Sequence, residues 1–126
     1  MLVELLFISA GAALGAGMRF LVVSWLTAVS PGQYPWGTLT VNLVGCLAIG
    51  MAWGLSANYG WGTSVRTFLF VGLLGSFTTF SSFGLETINL VKSGALGQAL
   101  SYIAVSNLGG FSLVWLGLKL CRPVSA

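Results

Sequence analysis

The chain has 126 residues, 56% of them hydrophobic and only 6% charged, with a formal net charge of +3 and a mean hydropathy of +0.96. A soluble domain usually exposes about 25% charged residues, so this composition excludes an ordinary water-facing surface and points to a lipid bilayer. Five scattered cations suggest no nucleic acid partner, and with no histidine and only two cysteines, zinc clusters, disulfide frameworks and the ligand or nucleophile–base sets of an enzyme drop out as well.

Four hydrophobic runs follow one another, each long enough for a bilayer core that needs about 20 helical residues. The first extends from Leu2 to Ala28. It lacks a basic n-region and a small-residue cleavage site, and three more runs follow, so it reads as a retained span rather than a signal peptide. Gly11 and Gly15 share one face, with Arg19 continuing it. Small residues four apart let helices approach closely in lipid, and a guanidinium at Arg19 either snorkels to the interface or pairs with a neighbouring helix.

The turn-forming stretch Ser30-Pro31-Gly32-Gln33-Tyr34-Pro35 leads into the second run, Trp36 to Ala57. Thr38 and Asn42 lie on one face, and Gly50 and Gly54 form another small-residue pair. An amide facing lipid is costly, so Asn42 serves either as interhelical glue or as an N–H donor to a passing anion, and periodicity does not separate the two. After a second turn at residues 58–63 the third run extends from Val65 to Val91, and after Lys92-Ser93-Gly94 the fourth extends from Ala95 to Leu120. The expected architecture is all-α: one four-helix membrane domain over residues 1–126.

The third run holds the oddest segment, Gly75-Ser76-Phe77-Thr78-Thr79-Phe80-Ser81-Ser82-Phe83. Five hydroxyls and three aromatics fall near the middle of the span, where no water satisfies polar groups. Gly72, Gly75, Thr78 and Thr79 are poor helix formers, so a local break that frees backbone carbonyls for a cation is expected there. Phe80 and Phe83 share a face, beside a stripe of Thr79, Ser82 and Glu86. On the fourth run Tyr102 and Ser106 are four apart. Taken singly, Thr79, Ser81 and Ser106 read as hydroxyls bonded to their own preceding helical turn. Together with Asn42, the phenyl edges and hydroxyls suit a small, strongly hydrated anion that must shed water without being trapped.

The charges bear on orientation. With the N-terminus inside, Arg66, Lys119 and Arg122 face the cytoplasm while Lys92 and Arg19 lie outward. So slight a bias is compatible with a fixed topology and equally with insertion both ways, which permits an antiparallel dimer.

Three segments, Gly11 to Arg19, Pro35-Trp36-Gly37-Thr38-Leu39-Thr40-Val41-Asn42-Leu43-Val44-Gly45 and Gly75 to Phe83, closely resemble the bacterial fluoride channels of the Fluc, or CrcB, family. The resemblance covers essentially the whole chain. It implies an antiparallel, dual-topology homodimer in the bacterial inner membrane with two fluoride pores, each lined by both subunits. Passive outflow of cytoplasmic fluoride through them would relieve its toxicity. By position, Phe80 and Phe83 would be the pore phenylalanines, Asn42 the pore amide, and Thr38, Ser82, Glu86, Tyr102 and Ser106 the associated polar track. A structural sodium ion would be held at the dimer interface by the main-chain carbonyls of Gly75 and Thr78 from both subunits, and Arg19 would lie near the vestibule. One departure is Gly110 where a serine is expected, so that one hydroxyl of the track is either missing or replaced by nearby Ser112. The rival reading is a small-multidrug-type proton-coupled exporter, which needs a membrane-embedded carboxylate such as Glu86.

Overall fold

Short polar turns between long apolar runs force neighbouring helices to reverse direction, and the structure, a computed structural model describing residues 1–122, is built from four such spans. The domain expected over residues 1–126 ends in residues 123–126, which lie outside the described residues. Helix α1 covers Leu2–Val29 and α2 covers Trp36–Tyr59. The third span, Thr63–Lys92, comprises α3 (Thr63–Arg66), a π-helical segment (Thr67–Leu74), α4 (Gly75–Phe77) and α5 (Phe80–Lys92). The fourth, Leu96–Leu120, comprises α6 (Leu96–Ala104), a second π-helical segment (Val105–Gly109) and α7 (Gly110–Leu120). All four are long and apolar enough to cross a membrane, and no strand occurs among the described residues. The chain is a multi-pass membrane protein.

Span ends coincide with those of the hydrophobic runs or fall one or two residues away, because the caps, not hydropathy, terminate a helix. At the end of α2, Gly60 takes a left-handed conformation (φ 59°, ψ 48°) and its N–H reaches Ser56 O at 3.0 Å, a conformation glycine adopts without a Cβ penalty.

Glycine decides which helices touch. A Cβ at Gly11 would strike the Phe68 carbonyl and one at Gly15 the Leu73 backbone, while Gly72 returns the contact, its Cβ position lying 3.0 Å from Gly11 Cα. The first helix therefore seats on the π-helical segment of the third span. Likewise α2 seats on α7: Gly50 faces the Val114 carbonyl, and a Cβ at Gly117 would lie 2.7 Å from Met51 N. In lipid, where apolar burial gives little drive for association, such backbone proximity is the main source of helix contact.

Cations rest on aromatic rings near the start of the third span and the end of the fourth. The Arg66 guanidinium lies 5.0 Å from the Trp53 ring centroid and 5.9 Å from that of Phe70, and Lys119 Nζ lies 4.0 Å from that of Trp115. Their stems cover apolar surface while the charges remain near water.

Replacing Gly15 by Val should lower the thermal unfolding midpoint in detergent micelles, reflecting an overpacking cost of about 1–3 kcal/mol. Gly17→Ala, where nothing lies within 4 Å, should leave it nearly unchanged. Equal midpoints for the two variants would show that the α1 contact does not depend on the glycine.

Candidate functional site

The site grows from two residues that abandon helical geometry. Thr78 (φ −87°, ψ 158°) and Thr79 (φ −151°, ψ 119°) are extended between α4 and α5. β-Branched threonines accept this conformation readily, and Gly45 of α2 makes room for it, since a Cβ there would collide with Thr78 Cγ2. Thr78 remains tied to the preceding turn, its N–H and its hydroxyl both reaching Leu74 O, at 3.1 and 3.0 Å. Thr79 does not. Its N–H donates to Asn42 Oδ1 at 2.7 Å, and Asn42 Nδ2 donates back to Thr79 O at 3.0 Å. Thr79 then caps α5, its Oγ1 accepting the Ser82 N–H at 3.3 Å.

This exchange of partners releases two carbonyls. In a continuous helix the Thr79 N–H would bond to Gly75 O and the Ser82 N–H to Thr78 O. Here those donors are taken by Asn42 and by the Thr79 hydroxyl. The oxygens of Gly75 and Thr78 are thus left available at the middle of the span, where uncharged oxygen donors suit a hard cation.

Beyond the extended pair, the first turn of α5 carries Phe80 and Phe83, their ring centroids 5.7 Å apart and tilted at 53°. Phe83 is partly buried against Tyr102, 5.0 Å between centroids, whereas Phe80 is 82% exposed. The rings face a cleft of about 300 Å³ whose walls include Asn42, Cys46, Ser106 and Asn107. Phenyl edges carry partial positive charge, so apolar walls of this kind still offer an anion favourable contact.

A line of hydroxyls leads from the cleft toward the Lys92 end of the span. The Thr79 hydroxyl donates to Ser82 Oγ at 3.1 Å and lies 3.4 Å from Ser81 Oγ. One turn on, both Glu86 oxygens are occupied: the Thr38 hydroxyl donates to Oε1 at 2.8 Å and the Tyr102 hydroxyl to Oε2 at 2.7 Å. Thr38 is 2% exposed and Tyr102 wholly buried, so α2 and α6 hold the carboxylate from both sides. Glu86 also forms part of a second hollow, of about 280 Å³, with Gln33, Asn89 and Ser93, where the Ser93 hydroxyl donates to Gln33 Oε1 at 3.0 Å.

The fold thus gathers Asn42, Phe80, Phe83, Thr38, Ser82, Glu86, Tyr102 and Ser106 about one cleft and the polar line leaving it. Two sequence expectations change. Thr79 and Ser81 do not bond back to their own preceding turn, because Thr79 stands outside the helix and the two hydroxyls meet each other. Ser106 Oγ, in the Val105–Gly109 π-helical segment, is buried without a partner. Ser112 is exposed and does not line the cleft of the single chain, and Cys46 Sγ lies 3.3 Å from where a Cβ at Gly110 would be. Arg19 lies on α1 and lines neither hollow. Two cleft residues escape sequence reasoning: Asn107, an amide near the middle of the fourth run whose depth is the one available signal, and Cys46, whose sulfur draws notice only as a disulfide candidate.

Asn42→Leu should remove both bonds to Thr79, at about 1–3 kcal/mol for each backbone group left without a partner. Hydrogen–deuterium exchange should accelerate selectively at the amides of residues 79–82, and unchanged exchange there would deny Asn42 its clamping role.

The family model described as "CrcB-like protein, Camphor Resistance (CrcB)" matches residues 6–118. The chain is 44% identical over 116 residues to a Pseudomonas putida protein called "Fluoride-specific ion channel FluC", covering 91% of this chain and 94% of that one. It is 37% identical over 123 residues to the Parabacteroides distasonis protein of the same name, covering 98% and 96%. With the Nocardia farcinica "Fluoride-specific ion channel FluC 2" it shares 45% over 120 residues, covering 94% and 84%. Matches of this extent, with the family model spanning residues 6–118, establish that this chain belongs to the CrcB family.

Proposed function

We propose that the chain is a fluoride-selective channel that lets cytoplasmic fluoride leave passively and so relieves its toxicity. The observation that carries this reading is the cleft itself, in which two phenyl rings, an amide and an unpartnered buried hydroxyl meet at mid-span without a cation among the cleft's walls. Fluoride binds its water strongly, and ring edges, the free N–H of Asn42 and the Ser106 hydroxyl replace part of that shell. A lysine or arginine in the same place would hold the ion too long for conduction. The names of the relatives, each a fluoride-specific ion channel, favour the same conclusion.

The reading extends to assembly. Phe80 at 82%, Leu108 at 71% and Phe111 at 74% exposure leave one side of the cleft unwalled, and a second copy inserted in the opposite sense closes it, giving two pores in an antiparallel dimer. The weak charge bias between the two membrane faces is compatible with such dual insertion. The released carbonyls of Gly75 and Thr78 fit sodium, a hard cation, and the same atoms of both copies would hold it and tie the subunits together. Arg19 is assigned to the vestibule, where its charge would attract anions. Glu86 has both oxygens engaged by hydroxyl donors, which disfavours a drug-and-proton exchanger that needs a free carboxylate.

Liposomes holding the protein and loaded with potassium fluoride should empty when a potassium ionophore is added, while those loaded with potassium chloride retain their contents. Phe80→Ile and Phe83→Ile should each slow fluoride release by about tenfold or more, the loss of roughly one ring-edge contact, with dimer elution unchanged. Fluoride-tight liposomes would overturn the channel, and wild-type flux in both variants would remove the rings from its mechanism.

A further inference from the structure

Asn42 is the obvious amide of the cleft, yet most of its capacity is spent. Its Oδ1 accepts the Thr79 N–H and one Nδ2 hydrogen reaches Thr79 O, so it works chiefly as a clamp and keeps a single N–H free. Asn107 stands on a different helix and lines the same cleft. Its only hydrogen bond among the described residues runs from Nδ2 to Ile103 O at 2.8 Å. One N–H and the whole Oδ1 remain unengaged.

Two features indicate that this free capacity faces the pathway. Asn107 lies close to the centre of the Leu96–Leu120 span and is exposed, and an amide turned to hydrocarbon at that depth is costly. It also sits within the Val105–Gly109 π-helical segment, a widened turn of the kind often found at functional sites. The wider turn places Asn107 beside Ser106, so that a hydroxyl and an amide from the fourth span face the clamp and the phenyl rings of the second and third.

We infer that Asn107 is a further fluoride-contacting residue, its free Nδ2–H supplying a hydrogen-bond donor to the anion from the fourth span. The inference rests on the fluoride-channel reading above. The two amides then have separate roles. Asn42 chiefly holds the extended segment that aims the phenylalanines and has one N–H left for the ion, while Asn107 has no such clamping duty and adds its donor from the fourth span.

The test uses the full-length protein in liposomes, with fluoride release measured across a range of fluoride concentrations. Asn107→Leu, which keeps the bulk and loses the donor, should slow release about tenfold and raise the half-saturating fluoride concentration. Asn107→Asp, of the same shape but lacking the amide N–H and repelling the anion whenever it is ionised, should slow it at least as much. A merely structural residue would change the amount of active protein without moving the concentration dependence. Release within twofold of wild type in both variants, or slower release with an unshifted half-saturation, would overturn the assignment while leaving the channel intact. No fluoride release from the wild type would overturn both.

Discussion

The reciprocal pair of hydrogen bonds between the Asn42 amide and the Thr79 backbone is what makes an interruption of the third span tolerable. Unpaired backbone groups at the middle of a bilayer cost several kcal/mol each because no water reaches them. A side-chain amide is one of the few groups that can present a donor and an acceptor at once, and so replace both bonds an extended residue loses. Asparagine at position 42 therefore has a backbone to support before it has any ion to meet. Gly45, one turn along the same helix, supplies the clearance that lets the supported segment lie close.

From that clamp the rest of the site follows by connection. Because Thr79 is held extended, its hydroxyl is free to cap α5, and the cap fixes where the first turn of that helix begins. The first turn carries Phe80 and Phe83. One turn further, Glu86 is aligned for hydroxyls from α2 and α6. Glycine contacts on either side, α1 to the third span and α2 to α7, hold the frame against which these pieces are registered. The chain spends its scarce polar groups on joining helices, and the one buried hydroxyl without a partner among the described residues, that of Ser106, lies in the cleft.

How much of this is legible in the sequence differs by the kind of signal. Spans follow from run length and composition, because a bilayer imposes a hydrophobic thickness that local sequence must meet. The small-residue pairs at Gly11 and Gly15 and at Gly50 and Gly54 identify the contact faces but not the partners, since spacing on one helix says nothing of which neighbour lies opposite. Asn42, Phe80, Phe83 and Glu86 stand out as misfits in apolar runs and through the family motifs. Helical periodicity fails at Thr79 and at Ser106: it assumes 3.6 residues per turn, whereas one residue is extended and the other lies in a π-helical turn. The contact between Cys46 and Gly110 is illegible for another reason. It pairs residues on different helices whose chemistry is ordinary taken separately.

That contact carries a mutational consequence. Cys46 Sγ stands 3.3 Å from where a Cβ at 110 would be, so the two positions share space across the α2–α7 seam. A mutation adding atoms at 110 therefore needs the Cys46 thiol to give by a few tenths of an ångström. The outcome of a serine placed at 110 is thereby tied to what stands at 46.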